Sequence, residues 1–134
     1  MLEVTGDSSV VQAVEFIFGV TFVVYGLSHM LQGEAWRRFF RSLKEGGNAG
    51  IIIGMYTFAT GIVFALLHNR WTVDLGLVVT LVGWAMLFKA VLYLLLPSLA
   101  ERALRHEVKR NAFKIVGVLM IAVGVAALVN AGGI

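Results

Sequence analysis

Four apolar stretches, at roughly residues 10–31, 49–68, 75–96 and 114–131, match the ~20 residues a helix needs to cross a ~30 Å hydrocarbon core. Bare backbone polar groups are not tolerated in lipid, so spans of this kind are helices. Each stretch carries two glycines seven residues apart: Gly19/Gly26, Gly54/Gly61, Gly76/Gly83 and Gly117/Gly124. Seven residues is close to two helical turns, so each pair opens a smooth patch on one helix face, where backbones can approach closely. The expectation is an all-α polytopic membrane protein: one transmembrane domain over 1–134, with four helices packed through these eight glycines.

Composition excludes most alternatives. Hydrophobic residues make up 59% of the 134 and charged residues 14%, against about 25% charged in soluble domains. The mean hydropathy is +0.87. No cysteine is present, which removes disulfides, thiolate catalysis, zinc–thiolate sites and iron–sulfur clusters. The chain opens Met1-Leu2-Glu3-Val4 without a basic leader segment, so the first span is expected to remain as an uncleaved anchor. The formal charge of +3 does not point to nucleic acid, because the basic residues flank the spans.

Those basic residues set an orientation. Arg37, Arg38, Arg41 and Lys44 lie in the loop 32–48, and Arg102, Arg105, Lys109, Arg110 and Lys114 in or beside the loop 97–113, whereas Arg70 alone lies between spans two and three. By the positive-inside rule both basic loops are cytoplasmic, and both termini and the Arg70 turn face the other side. A bacterial inner membrane is the expected setting. The unit of span, basic loop and span occurs twice, with Gly54/Gly61 matching Gly117/Gly124 and Gly19/Gly26 matching Gly76/Gly83. A duplication explains the match; so does the general abundance of glycine in transmembrane helices.

In the first basic loop Trp36, Phe39, Phe40 and Leu43 recur at helical spacing, with the cations on the other face. This reads as an interfacial helix, its aromatics at headgroup level and its arginines on anionic lipid. Trp71 fits an aromatic belt on the opposite side. Ser98 with Glu101 after Pro97, and Ser9 with Gln12 before span one, have the form of capping boxes. Glu101 and Arg105 are placed to pair along the second loop's helix, with Leu104 and Val108 as its apolar positions.

Three ionisable residues fall inside the spans. Glu15, Gly19, Phe22, Gly26 and His29 form one stripe along span one. The stripe either lines a polar path or carries two end residues that snorkel to opposite headgroup layers, and depth favours snorkelling. Lys89 lies eight residues before Pro97, about 12 Å of helix from the boundary. Its charge wants a lipid phosphate, a neighbouring subunit or a ligand anion. His29, His68 and His106 are too scattered for a two-histidine haem, and no metal-ligand, phosphate-binding or nucleophile motif occurs. No cofactor or metal is expected.

The segment Thr80-Leu-Val-Gly-Trp-Ala-Met-Leu-Phe-Lys-Ala-Val-Leu-Tyr-Leu-Leu-Leu-Pro97, preceded by His68-Asn-Arg-Trp71, resembles a pattern in small uncharacterised four-span bacterial inner-membrane proteins. The resemblance covers spans two and three and implies no activity. Phe18-Gly-Val-Thr-Phe-Val-Val-Tyr-Gly-Leu-Ser-His29 is similar to the first helix of DoxX-type membrane proteins, whose later acidic residues are absent here.

Three function classes follow. The preferred one is a non-enzymatic accessory subunit or assembly factor. It packs through glycine faces, binds anionic lipid through its basic loops, and works as a homo-oligomer or within a larger complex. A small transporter or channel would need Glu15, His29 and Lys89 around one interior. An enzyme would need a polar cluster at one depth, which the spacing of residues does not supply.

Overall fold

The computed structural model describes residues 8–106 and 109–132. Six helices and no strand occur among them: α1 Ser8–Leu31, α2 Gly33–Gly46, α3 Ala49–Leu67, α4 Leu77–Leu95, α5 Ser98–Ala103 and α6 Arg110–Asn130. Of these, α1, α3, α4 and α6 are long and apolar enough to cross a membrane, so the protein is an all-α integral membrane protein. Its exposed surface fits that solvent: Tyr56, Phe88, Leu95 and Leu119 stand outward from the bundle.

The four spans pack as two close antiparallel pairs, α1 with α6 and α3 with α4. Glycine explains the first pair. A Cβ on Gly19 would lie 2.8 Å from the carbonyl oxygen of Gly124, and one on Gly124 2.8 Å from that of Gly19. Gly26 and Gly117 stand in the same reciprocal relation, at 2.7 and 2.6 Å. The two backbones therefore touch, a separation that any side chain at these positions would prevent.

The second pair differs. A Cβ on Gly61 would meet the backbone nitrogen of Leu87 at 2.7 Å, and one on Gly83 that of Ala65 at 3.0 Å, while Gly54 faces the side chain of Leu94. Exchanging the two halves of the chain would carry the α1–α6 pair onto α4–α3, and both pairs exist. The correspondence of glycines is not kept, since those of α3 and α4 do not oppose one another. Gly76 is not a helix-packing glycine at all: it precedes α4 as its N-cap and lies in a polar cluster.

The basic-loop helix α2 is held against the bundle. Trp36 stacks on His29 with centroids 4.1 Å apart, its indole N–H donates to Ser28 Oγ at 2.9 Å, and Phe40 stacks on Phe113 at 5.9 Å. Leu43 is buried; Phe39 remains exposed. The aromatic face thus mostly covers the ends of α1 and α6, and only its edge is left for lipid. Helix α5 does not open on the expected Ser98–Glu101 capping box, and the Gln12 side chain is used elsewhere. Gln12 donates to the carbonyl of Ala131 at 2.7 Å. Pro97, not Ser98, is the N-cap of α5, which ends at Ala103, so Arg105 lies beyond the helix that carries Glu101. Val108 falls outside the described residues.

Candidate functional site: a four-helix polar cluster

At the Arg70 end of the bundle, one polar residue from or beside each spanning helix points to a common centre. Glu15 comes from α1, His68 from the end of α3, Thr80 from the first turn of α4 and Asn130 from the last residue of α6. Glu15 is 2% exposed, and His68 and Thr80 are fully buried. His68 Nε2 lies 2.7 Å from Glu15 Oε1, and Asn130 Nδ2 donates to the same oxygen at 2.8 Å. The Arg70 guanidinium stands 3.9 Å from that oxygen and 3.4 Å from Asp74.

Hydrogen-bond accounting assigns the tautomer. The Thr80 hydroxyl has one proton, and its shortest acceptor is the Arg70 carbonyl at 2.7 Å. Its lone pairs then receive the Arg70 N–H at 3.2 Å and His68 Nδ1 at 2.9 Å, which makes Nδ1 a donor. A single proton lies in the 2.7 Å gap between Nε2 and the carboxylate. The result is a relay from the Arg70 carbonyl through Thr80 and His68 to Glu15 that ties the 68–76 turn to α1 and α6.

Local features hold the cluster in place. Asp74 accepts from the Gly76 N–H at 2.8 Å and from the Thr72 hydroxyl at 2.8 Å. The Thr72 bond, then the Gly76 bond and the Arg70 charge, hold the Asp74 carboxyl below its usual range. Gly76 leaves room for these bonds: a Cβ there would come within 2.8 Å of both Glu15 Oε1 and Asn130 Nδ2, so the side-chain ends that make them would have to shift. Asn69 accepts from the indoles of Trp71 and Trp84 at 2.7 and 3.3 Å, which fastens the outer edge of the turn.

The cluster opens in one direction. Ser8, Ser9, Gln12, Glu15, Arg70 and Asn130 line a cleft of about 520 Å³ beside the first turns of α1. One helical turn toward the bundle centre, Phe18, Phe64 and Ala127 form a continuous buried apolar group with Val14 and Val79, which lie level with the cluster. Phe18 stacks on Phe22 at 4.1 Å and meets Phe64 edge-on at 4.9 Å. This group lies on the bundle side of the cleft.

The three intramembrane residues singled out from sequence do not share one interior. Glu15 does not snorkel; it is the acceptor at the centre of the cluster. His29, 8% exposed, lies at the opposite end, where Nδ1–H donates to the Tyr25 carbonyl at 2.7 Å and the ring seats Trp36. Lys89 is exposed on the outside of α4, its ammonium 5.4 Å over the Tyr93 ring, one turn nearer the basic end. A path through all three is therefore contradicted. A polar cluster at one depth, not expected from the spacing, is present.

Sequence reasoning passed over Asn130 and Asp74, weighed His68 only as a haem ligand and Gln12 only as a cap, and used Arg70 for orientation alone. Among the described residues no group of three His, Cys, Asp or Glu side chains could hold a metal ion. No protein-family model, curated protein or solved structure matches the chain.

Proposed function

We propose that this protein is a non-conducting accessory subunit of a bacterial inner-membrane complex, with its basic end on the cytoplasmic leaflet and its polar cleft on the other side. The observation that carries this reading is the apolar group of Phe18, Phe64 and Ala127 one turn below the Glu15–His68 cluster. A site closed on its membrane side can receive a polar group of a partner or ligand without conducting it.

The excess of Lys and Arg in the loops around α2 and α5 supports the orientation. Anionic lipid meets Arg41 and Arg102 there, each worth about 1 kcal/mol near such a surface. The glycines serve contacts within the chain, so partner proteins or further copies dock on the lipid-facing surface of α3 and α4 or at the polar end. Reconstitution tests the proposal. Proteoliposomes under an imposed pH or sodium gradient should show no flux above protein-free vesicles, while purification from native membranes retains a stoichiometric companion. Flux that Glu15→Gln abolishes would establish a transporter instead.

A further inference from the structure

A second concavity lies at the basic end, between α2 and the segment that follows α5. It measures about 300 Å³ and is lined by Arg37, Arg41, Lys44 and His106, with Phe40 and Leu104 as its apolar wall. Among the described residues the lining holds three permanent cations against the single carboxylate of Glu45. The two sides are far apart in sequence, and Lys44 joins them: its ammonium donates to the Arg105 carbonyl at 2.8 Å. Glu34 is outside the lining and is engaged by Arg37, whose Nε and Nη2 each stand 3.0 Å from a Glu34 oxygen.

We propose that this pocket binds the phosphate of an anionic amphiphile, one molecule per protein, with Arg41 and Lys44 as its principal donors. Guanidinium and ammonium groups recognise phosphate through charge-assisted hydrogen bonds. The apolar wall is what separates this pocket from a merely basic surface. Phe40 and Leu104 offer the glycerol and first acyl carbons a surface that a free anion would not use. The proposal deepens the seating on anionic lipid described above, since it gives one lipid an address rather than a charged face.

The test uses the full-length protein in neutral detergent, stripped of lipid. Phosphatidylglycerol, phosphatidylcholine and inorganic phosphate are titrated in turn, followed by native mass spectrometry and thermal unfolding. Phosphatidylglycerol should bind at one per chain and raise the unfolding temperature. Arg41→Gln and Lys44→Gln should each weaken that binding at least tenfold, with Arg41→Lys recovering part of the loss. Arg38→Gln is the control: Arg38 is exposed on α2 but does not line the pocket, so its removal should leave one-to-one binding intact.

Equal stabilisation by inorganic phosphate would uphold the phosphate site and assign it to a soluble compound. Equal weakening by Arg38→Gln and Arg41→Gln would overturn the pocket and leave diffuse attraction to anionic lipid standing. Phosphatidylglycerol binding unaffected by either pocket variant would overturn it as well. Loss of the native companion with lipid binding retained would speak only to the accessory reading.

Discussion

Replacing Gly117 with alanine is the sharpest test of the α1–α6 contact. The new methyl carbon would sit 2.6 Å from the Gly26 carbonyl oxygen, 2.7 Å from Met30 Cγ and 3.0 Å from the Met30 nitrogen, where ordinary contact begins at 3.4 Å. Met30 Cγ can swing aside, but the carbonyl oxygen belongs to a helix, so α1 and α6 must part by roughly 0.8 Å. Overpacking of this kind costs about 1–3 kcal/mol, and a backbone obstacle puts it near the top. Alanine's better helix propensity returns about 1 kcal/mol. The net expectation is a loss of about 2 kcal/mol. Gly33→Ala is the internal control, since its nearest atoms lie 3.5 Å away; it should be neutral or gain up to about 1 kcal/mol. Equilibrium unfolding in mixed micelles, followed by helical circular dichroism, would separate the two variants by about 2–3 kcal/mol. If Gly117→Ala proves as stable as wild type, the backbone-contact reasoning fails.

Glu15→Leu strips the acceptor from His68 and Asn130, and the same unfolding assay should show a loss of about 2–3 kcal/mol, with Glu15→Gln losing less because it keeps an acceptor oxygen. Gly47 ends α2 at φ 70° with open space around it, so Gly47→Ala should cost about 1 kcal/mol from backbone strain alone. The depressed Asp74 carboxyl gives a pH signature. A group lowered on folding adds stability that is fully present above its usual value near 3.8 and lost as pH falls through the lower folded value. Protection of the Gly76 amide, its exchange rate relative to the intrinsic rate at each pH, should therefore hold down to that usual value and fall only below it. Asp74→Asn should remove the pH dependence of that protection.

The spans were legible because lipid imposes length and composition on each helix separately. The expected window 49–68 and the helix Ala49–Leu67 nearly coincide. Glycine spacing identified the α1 and α6 faces correctly for the same reason: Gly19, Gly26, Gly117 and Gly124 mark a face whatever helix it meets. What they meet depends on register between helices, and there the pattern fell silent, as Gly76 and Gly83 demonstrate. The polar cluster was missed because depth was judged one residue at a time. Glu15 is near the end of α1, which suggests snorkelling, yet His68, Thr80 and Asn130 are also near the same end of their own helices. Listing all the polar residues near that end of every span would have set Glu15 beside His68, Thr80 and Asn130. The role of His29 as a seat for Trp36 has no such signal, because it arises from how α2 folds back.

The pairing of α1 with α6 also bears on how the protein is made. The first of these four spans to leave the ribosome packs against the fourth, so Gly19 and Gly26 face lipid or the insertion machinery until residues 110–130 have been synthesised. At about 5–20 residues per second, that wait is roughly 5–20 s. Throughout it Glu15 lacks Asn130, and for about the first half of it His68 as well, and an unpartnered carboxylate is costly in a bilayer. The early helix therefore depends on a sheltered holding site, and ribosome-bound chains halted before α6 should crosslink from position 15 to the insertion apparatus, whereas completed chains crosslink to their own α6.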